Sequence, residues 1–252
     1  MVKKTFCVIF ILAATSIAPG QESEAEKALF EGRAMLQAGL NEWNAEKMIA
    51  ARALFERLSA DKTLAAMAHY EVGHAGYRLS IFYRQDDVKK SISYLDDGVK
   101  HLEKATELDN KFADAFALLS SCYGQKIGHD MSLAMTLGPM SYQKMGQAMR
   151  LEPENPRVLL LDGMSKYYTP EQFGGSKEAG LKLFEQAVES FSNFKRASKF
   201  HPDWGEDEAH AWIGLSYLEK GENTTAKQHL ERALKINPEN NWVKTQLLPR
   251  LN

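Results

Sequence analysis

Seven histidines, two cysteines and one glycine-rich run are the residues of this 252-residue chain best suited to chemistry. A structural or catalytic zinc needs three or four His, Cys or carboxylate ligands brought together by short spacings. His69 and His74 stand five positions apart, about 140° around a helix and therefore off a shared face, and neither belongs to an HExxH arrangement. His101, His129, His210 and His229 are scattered along the chain, and His201-Pro202-Asp203 offers two ligands in a loop, one short of a site. The expectation is no metal and no cofactor. Cys7 falls in the amino-terminal segment, which leaves Cys122 as a lone thiol next to Tyr123 on a helix that must pack, so it is expected to be buried and inert.

The run Thr169-Pro170-Glu171-Gln172-Phe173-Gly174-Gly175-Ser176-Lys177 places two glycines and a lysine at a helix start, where backbone N–H groups could face an anion. It lacks the GxxxxGK[ST] spacing of a phosphate loop. Turn chemistry accounts for the same residues: Gly174-Gly175 reverses the chain, Ser176 caps the next helix and Phe173 tucks into a groove. A second irregular stretch, Lys195–Glu206, carries Phe200-His201-Pro202-Asp203-Trp204-Gly205, and Trp204 either plugs the space between helical hairpins or forms a lip of a pocket. Asp86-Asp87 belongs to a helix start and Asp96-Asp97 to a solvated face. Adjacent helical carboxylates diverge by about 100°, too far for an acid–base dyad. Ser120-Ser121 has no GxSxG elbow. No enzyme is expected.

The elements that must position these residues are helices. From Asp207 to Asn240, Gly214, Tyr217, Ala226, Leu230, Ala233 and Pro238 fall at the eighth, eleventh, twentieth, twenty-fourth, twenty-seventh and thirty-second places of a 34-residue helix–turn–helix template. Small residues mark where two helices cross closely, and Pro238 stops the second helix. Looser copies lie upstream: helices over Glu24–Ala38 and Asn44–Ala60, a pair with Tyr70 and Tyr77 then Leu102 and Ala105, Ala113–Gln125 with Ser141–Leu151 around an insertion at Lys126–Met140, and Arg157–Tyr168 with Lys177–Phe194. No alternating strand pattern interrupts them. The chain resembles the tetratricopeptide-repeat (TPR) superfamily over residues 24–250. The fold expected is all-α, a right-handed α-solenoid of about five helix–turn–helix pairs forming one domain over 21–252.

The resemblance implies that the first helix of each pair lines a concave face that holds a protein or peptide. Its positions here are Tyr77 and Arg78, Asp114 and Ser121, Met164 and Tyr167, and Glu208, Leu215 and Glu219, with Gly174, Gly175, Lys177 and Trp204 as loop contacts. The chain is also similar, in length and repeat type, to the TatT-type component of TRAP transporters, which implies an accessory role in solute uptake. A metal-binding or enzymatic solenoid is the remaining alternative.

Residues 1–20 have the form of a secretory signal peptide: Lys3 and Lys4, an apolar Phe6–Ala14, then Ala18-Pro19-Gly20 before Gln21. The apolar stretch is short of the roughly 20 residues that span a bilayer, so no stable membrane insertion is expected after cleavage. Export makes the protein periplasmic or secreted. The formal charge of −2 becomes −4 on losing two lysines and no acids, and no basic tract invites nucleic acid.

Overall fold

The computed structural model describes residues 22–251. Ten α-helices occur among them: α1 Glu24–Glu42, α2 Ala45–Leu58, α3 Ala65–Tyr83, α4 Val88–Leu108, α5 Ala113–His129, α6 Ala134–Leu151, α7 Pro156–Tyr168, α8 Lys177–Phe191, α9 Glu206–Glu219 and α10 Asn223–Ile236. A π turn at Val243–Leu247 and a 3-10 turn at Leu248–Leu251 follow, burying Val243 and Leu247 against the last pair. Residues 1–20, where the signal peptide is expected, lie outside the described residues.

Caps set the helix starts. Ser23 accepts from the Glu26 amide while Glu26 reaches back to the Ser23 amide, and Asn44, Asp87, Asn155 and Ser176 accept from first-turn amides in the same way. Consecutive helices pair as antiparallel hairpins, and the odd-numbered helices α1, α3, α5 and α7 touch one another in a row. α3 and α5 are correspondingly buried on most sides, whereas α10 buries only Ala226, Leu230 and Ala233.

A glycine sits at the tightest crossing of four hairpins. A Cβ at Gly214 would lie 2.5 Å from Leu230, at Gly163 2.6 Å from Phe184 and at Gly73 2.5 Å from Leu102, and at Gly32 it would run into Phe55. In the third hairpin Ser120 takes this place, and its hydroxyl donates to the Ser141 carbonyl at 2.8 Å. Phe55, Leu102, Phe184 and Leu230 are fully buried, each contributing about 1.5–3 kcal/mol relative to exposure. The core forms two clusters joined through Met149, Met164 and Trp204.

Two expectations need correction. The segment 126–140 is mostly helix rather than insertion, because α5 runs on to His129 and α6 starts at Ala134 with Pro139 inside it. Proline there removes one bond, to the carbonyl of Met135, a residue 87% exposed where water can replace it. Phe173 does not tuck into a groove. It is 64% exposed on a short 3-10 turn that ends at Gly174, which has φ +85. The glycine reading holds for its neighbour: any Cβ at Gly175 would collide with the Thr169 carbonyl.

Candidate functional site

The longest departure from repeat geometry is the stretch between α8 and α9, and it crosses the row of odd helices. Arg33 on α1 donates to the Phe200 carbonyl at 2.5 Å and to the His201 carbonyl at 3.3 Å. Phe200 stacks on Phe30, with ring centres 6.2 Å apart, and Lys199 pairs with Glu26 at 3.3 Å. Trp204 donates its indole N–H to the Tyr70 hydroxyl at 3.0 Å and lies parallel to His74, 4.7 Å between rings. Trp204 therefore plugs the inner face against the second hairpin, while Lys199, Phe200 and His201 reach the first.

Beneath it runs a chain of buried charges. Arg33 Nε donates to Glu71 at 2.6 Å, His74 Nδ1 lies 3.6 Å from the same carboxylate, Arg78 Nε donates to His74 Nε2 at 3.0 Å, and Arg78 Nη2 donates to Glu208 at 2.5 Å. The Arg78 donation fixes the His74 proton on Nδ1, toward Glu71. Burial lowers His74 to about 4, helped by Arg78 and Arg33 against the pull of Glu71. Burial works against ionisation of Glu71 too, yet Arg33 and His74 outweigh it and hold the carboxyl below its ordinary value. The Arg78 guanidinium also stands 4.9 Å over the Trp204 ring.

The expected face residues divide into three groups. Tyr77, Arg78, Asp114 and Glu208 belong to the covered half. Tyr77 is buried, and burial pushes its hydroxyl up to about 12. Asp114 accepts from Arg157 at 2.5 Å and from Asn155 at 2.9 Å with both charges out of solvent. A second group gathers where α7, α8 and α9 meet: Lys177 bonds Glu219 at 2.6 Å and stands 5.1 Å over the ring of buried Tyr167. Ser121 and Met164 are half-buried on α5 and α7, Leu215 is instead buried in the core on α9, and Ser121 donates to the Ala117 carbonyl at 3.1 Å. Gly174 is exposed and Gly175 buried in the turn before α8, and Ser176 caps that helix through the Ala179 amide at 3.1 Å.

Sequence reasoning missed Tyr168. It is 67% exposed beside Tyr167 and packs edge-on against Trp212, 5.6 Å between rings. Burial raises its hydroxyl pKa, Arg84 just past α3 draws it down and Glu219 on α9 pushes it up. Tyr168 is the next residue after a predicted face position, and that adjacency was the available signal.

The histidines are not scattered in space. Nδ1 of His69 lies 2.9 Å from Nδ1 of His101, and Nδ1 of His210 lies 3.2 Å from Nδ1 of His229. His129 Nε2 lies 3.0 Å from the Ser91 hydroxyl, but Ser91 is fully buried and donates its proton to the Ser80 carbonyl, so it is no nucleophile. Cys122 is buried and free, its thiol pushed up to about 12 by burial. Asp97 is not simply solvated, since it pairs with Arg52 and faces His101. No helix among the described residues is long and apolar enough to cross a membrane.

The family model described as tetratricopeptide repeat matches residues 207–240. The match covers the last hairpin, α9 and α10. The HusA haemophore from Porphyromonas gingivalis is similar over 81% of this chain and 96% of its own, at TM-score 0.64 and 22% identity. A thermophilic TPR protein of Thermus thermophilus is similar over 87% and 98%, at TM-score 0.59 and 15% identity. At these identities the likeness is one of fold. The human protein O-mannosyl-transferase TMTC1 is 25% identical over 136 residues, 53% of this chain but 13% of that protein.

Proposed function

We propose that the protein is exported by its amino-terminal segment and acts, in the periplasm or outside the cell, as a non-catalytic adaptor. Its mature part, 21–252, is a single domain. The partner is a protein or peptide held on the odd-helix face, at the end that the 195–205 stretch leaves free. Tyr168 carries this reading: a large aromatic ring, 67% exposed on a rigid helix and backed by Tyr167 and Trp212, is the kind of anchor that dominates interfaces. Half-buried Ser121 and Met164 supply the surrounding rim, and the Lys177–Glu219 pair adds charges of both signs.

A photo-crosslinker at Ser121 in the full chain, expressed in cells, tests the adaptor. One partner should be captured, and capture should fall in a Tyr168→Ala, Met164→Ala variant but persist in Tyr142→Ala, where an exposed ring on α6 is removed instead. Equal capture by the first variant would overturn the assignment of the face. Fractionation tests export, and an intact chain confined to the cytoplasm would defeat it. The solute-uptake reading keeps the face and changes the cargo. Haemin is the probe to titrate, because the structural neighbour is named a haemophore. Saturable binding abolished by Tyr168→Ala would replace the adaptor with a carrier.

A further inference from the structure

Away from the inner face, on the outer side of the second hairpin, His101 pairs with His69. Two imidazole Nδ1 atoms 2.9 Å apart share one proton, so of His69 and His101 one donates and the other accepts. When His101 is the donor, its Nε2 is a bare lone pair. That nitrogen faces Asp97 Oδ2, one turn earlier on α4, at 3.9 Å. This is too long for a hydrogen bond, and two acceptors pointed at each other call for a cation between them. Glu56 approaches from α2, and one ligand atom from each of Glu56, Asp97 and His101 lies within 4.8 Å of the other two. Among the described residues this is where three such atoms converge.

A guanidinium fills the role here. Arg52 Nη1 pairs with Glu56 at 2.8 Å and Nη2 with Asp97, while its Nε is buried without a partner. The Arg52 guanidinium also lies 5.9 Å over the Tyr94 ring, a resting place for it once the carboxylates are taken. Burial lowers the His101 pKa, with Arg52 and Lys100 assisting against Asp97 and Glu56.

We propose that Glu56, Asp97 and His101 form a site for a divalent transition-metal cation of the zinc type. His69 is a positioning residue that orients the His101 ring, and Arg52 is a counter-cation that the metal displaces. One imidazole with two carboxylates suits zinc, nickel or copper better than magnesium or calcium, which prefer all-oxygen shells. Small side-chain rotations bring the three atoms within the ~2.0–2.2 Å zinc–nitrogen and zinc–oxygen bonding reach of one cation, since all three groups are only half-buried or exposed. A group that hydrogen-bonds the far nitrogen of a ligating histidine typically matters about 10–100-fold in affinity.

Calorimetric titration of zinc chloride into the chelator-stripped full chain at pH 7.5 is the test, with melting curves recorded to confirm that each variant folds. One zinc per chain is expected. His101→Gln and Asp97→Asn should abolish binding, and His69→Gln should weaken it by about tenfold or more. Arg52→Gln should tighten it, because the competing charge is gone. His229→Gln, at the other histidine pair, should leave it unchanged. Absence of binding, unaltered binding in folded His101→Gln, or loss confined to His229→Gln would overturn the proposal. Weaker binding in Arg52→Gln would overturn the displacement.

Discussion

Arg78 and Glu208 stand 130 positions apart in the chain and meet at 2.5 Å, joining α3 to α9 beneath the Trp204 ring. A contact this remote in sequence is made only when every hairpin between has stacked. Glu208→Ala strands a guanidinium whose side chain is 10% exposed. Loss of a buried pair costs about 3–5 kcal/mol, and the partly open Glu208 side reduces this to about 2 kcal/mol. Thermal unfolding should show Tm lower by about 4–8 °C.

Asp114 and Arg157 are the more deeply enclosed pair, at 2% and 3% side-chain exposure. Asp114→Ala should cost the full ~3–5 kcal/mol, since Arg157 Nη2 already lacks a partner and the remaining donors would lose theirs. Denaturant unfolding measures this directly. A cost below that of Glu208→Ala would show that water reaches Arg157.

Acid should weaken the fold through histidines kept neutral. His74 and His210 are each lowered to about 4, mainly by burial, against an ordinary value near 6.5. Above pH 6.5 neither state holds the extra proton and stability is complete. Between 6.5 and 4 the unfolded chain takes up protons that the folded chain refuses, so stability drops as pH falls and levels off near 4. Urea midpoints across this window should trace that slope, and His74→Gln should make it shallower.

Gly214→Trp should cost several kcal/mol, because even a Cβ would come within 2.5 Å of Leu230. An unchanged melting temperature would mean that the α9–α10 crossing can open without loss.

Trp204→Ala should cost about 3 kcal/mol and speed amide exchange over 198–205, whereas Phe173→Ala should stay within about 0.5 kcal/mol. The two aromatics sit in the two irregular loops, and the difference in burial sets the difference in cost.

The hairpins could be read from residues because their rules are local. Gly214, Ala226 and Pro238 satisfy constraints inside one repeat, and Gly174-Gly175-Ser176 solves a turn within a few positions. The plug was only half legible: the size of Trp204 demanded burial, but no periodicity tells where a 195–206 stretch will land. His69 and His101 come together through the register of α3 against α4, which spacing along the chain does not reveal. Asp114 was assigned to the open face by its place in the repeat and lies under cover instead, because Arg157 two helices onward claims it.

The Asn237 side chain, at the end of α10, donates both to Asp207 at 2.9 Å and to Asn41 on α1 at 3.0 Å. Beginning and end of the array are thereby clasped. In an open stack each unit leans only on its neighbours and can fray from either tip. A clasped array has no free tip, so removing the final unit should loosen the first, and melting should proceed in one step rather than as a peeling series.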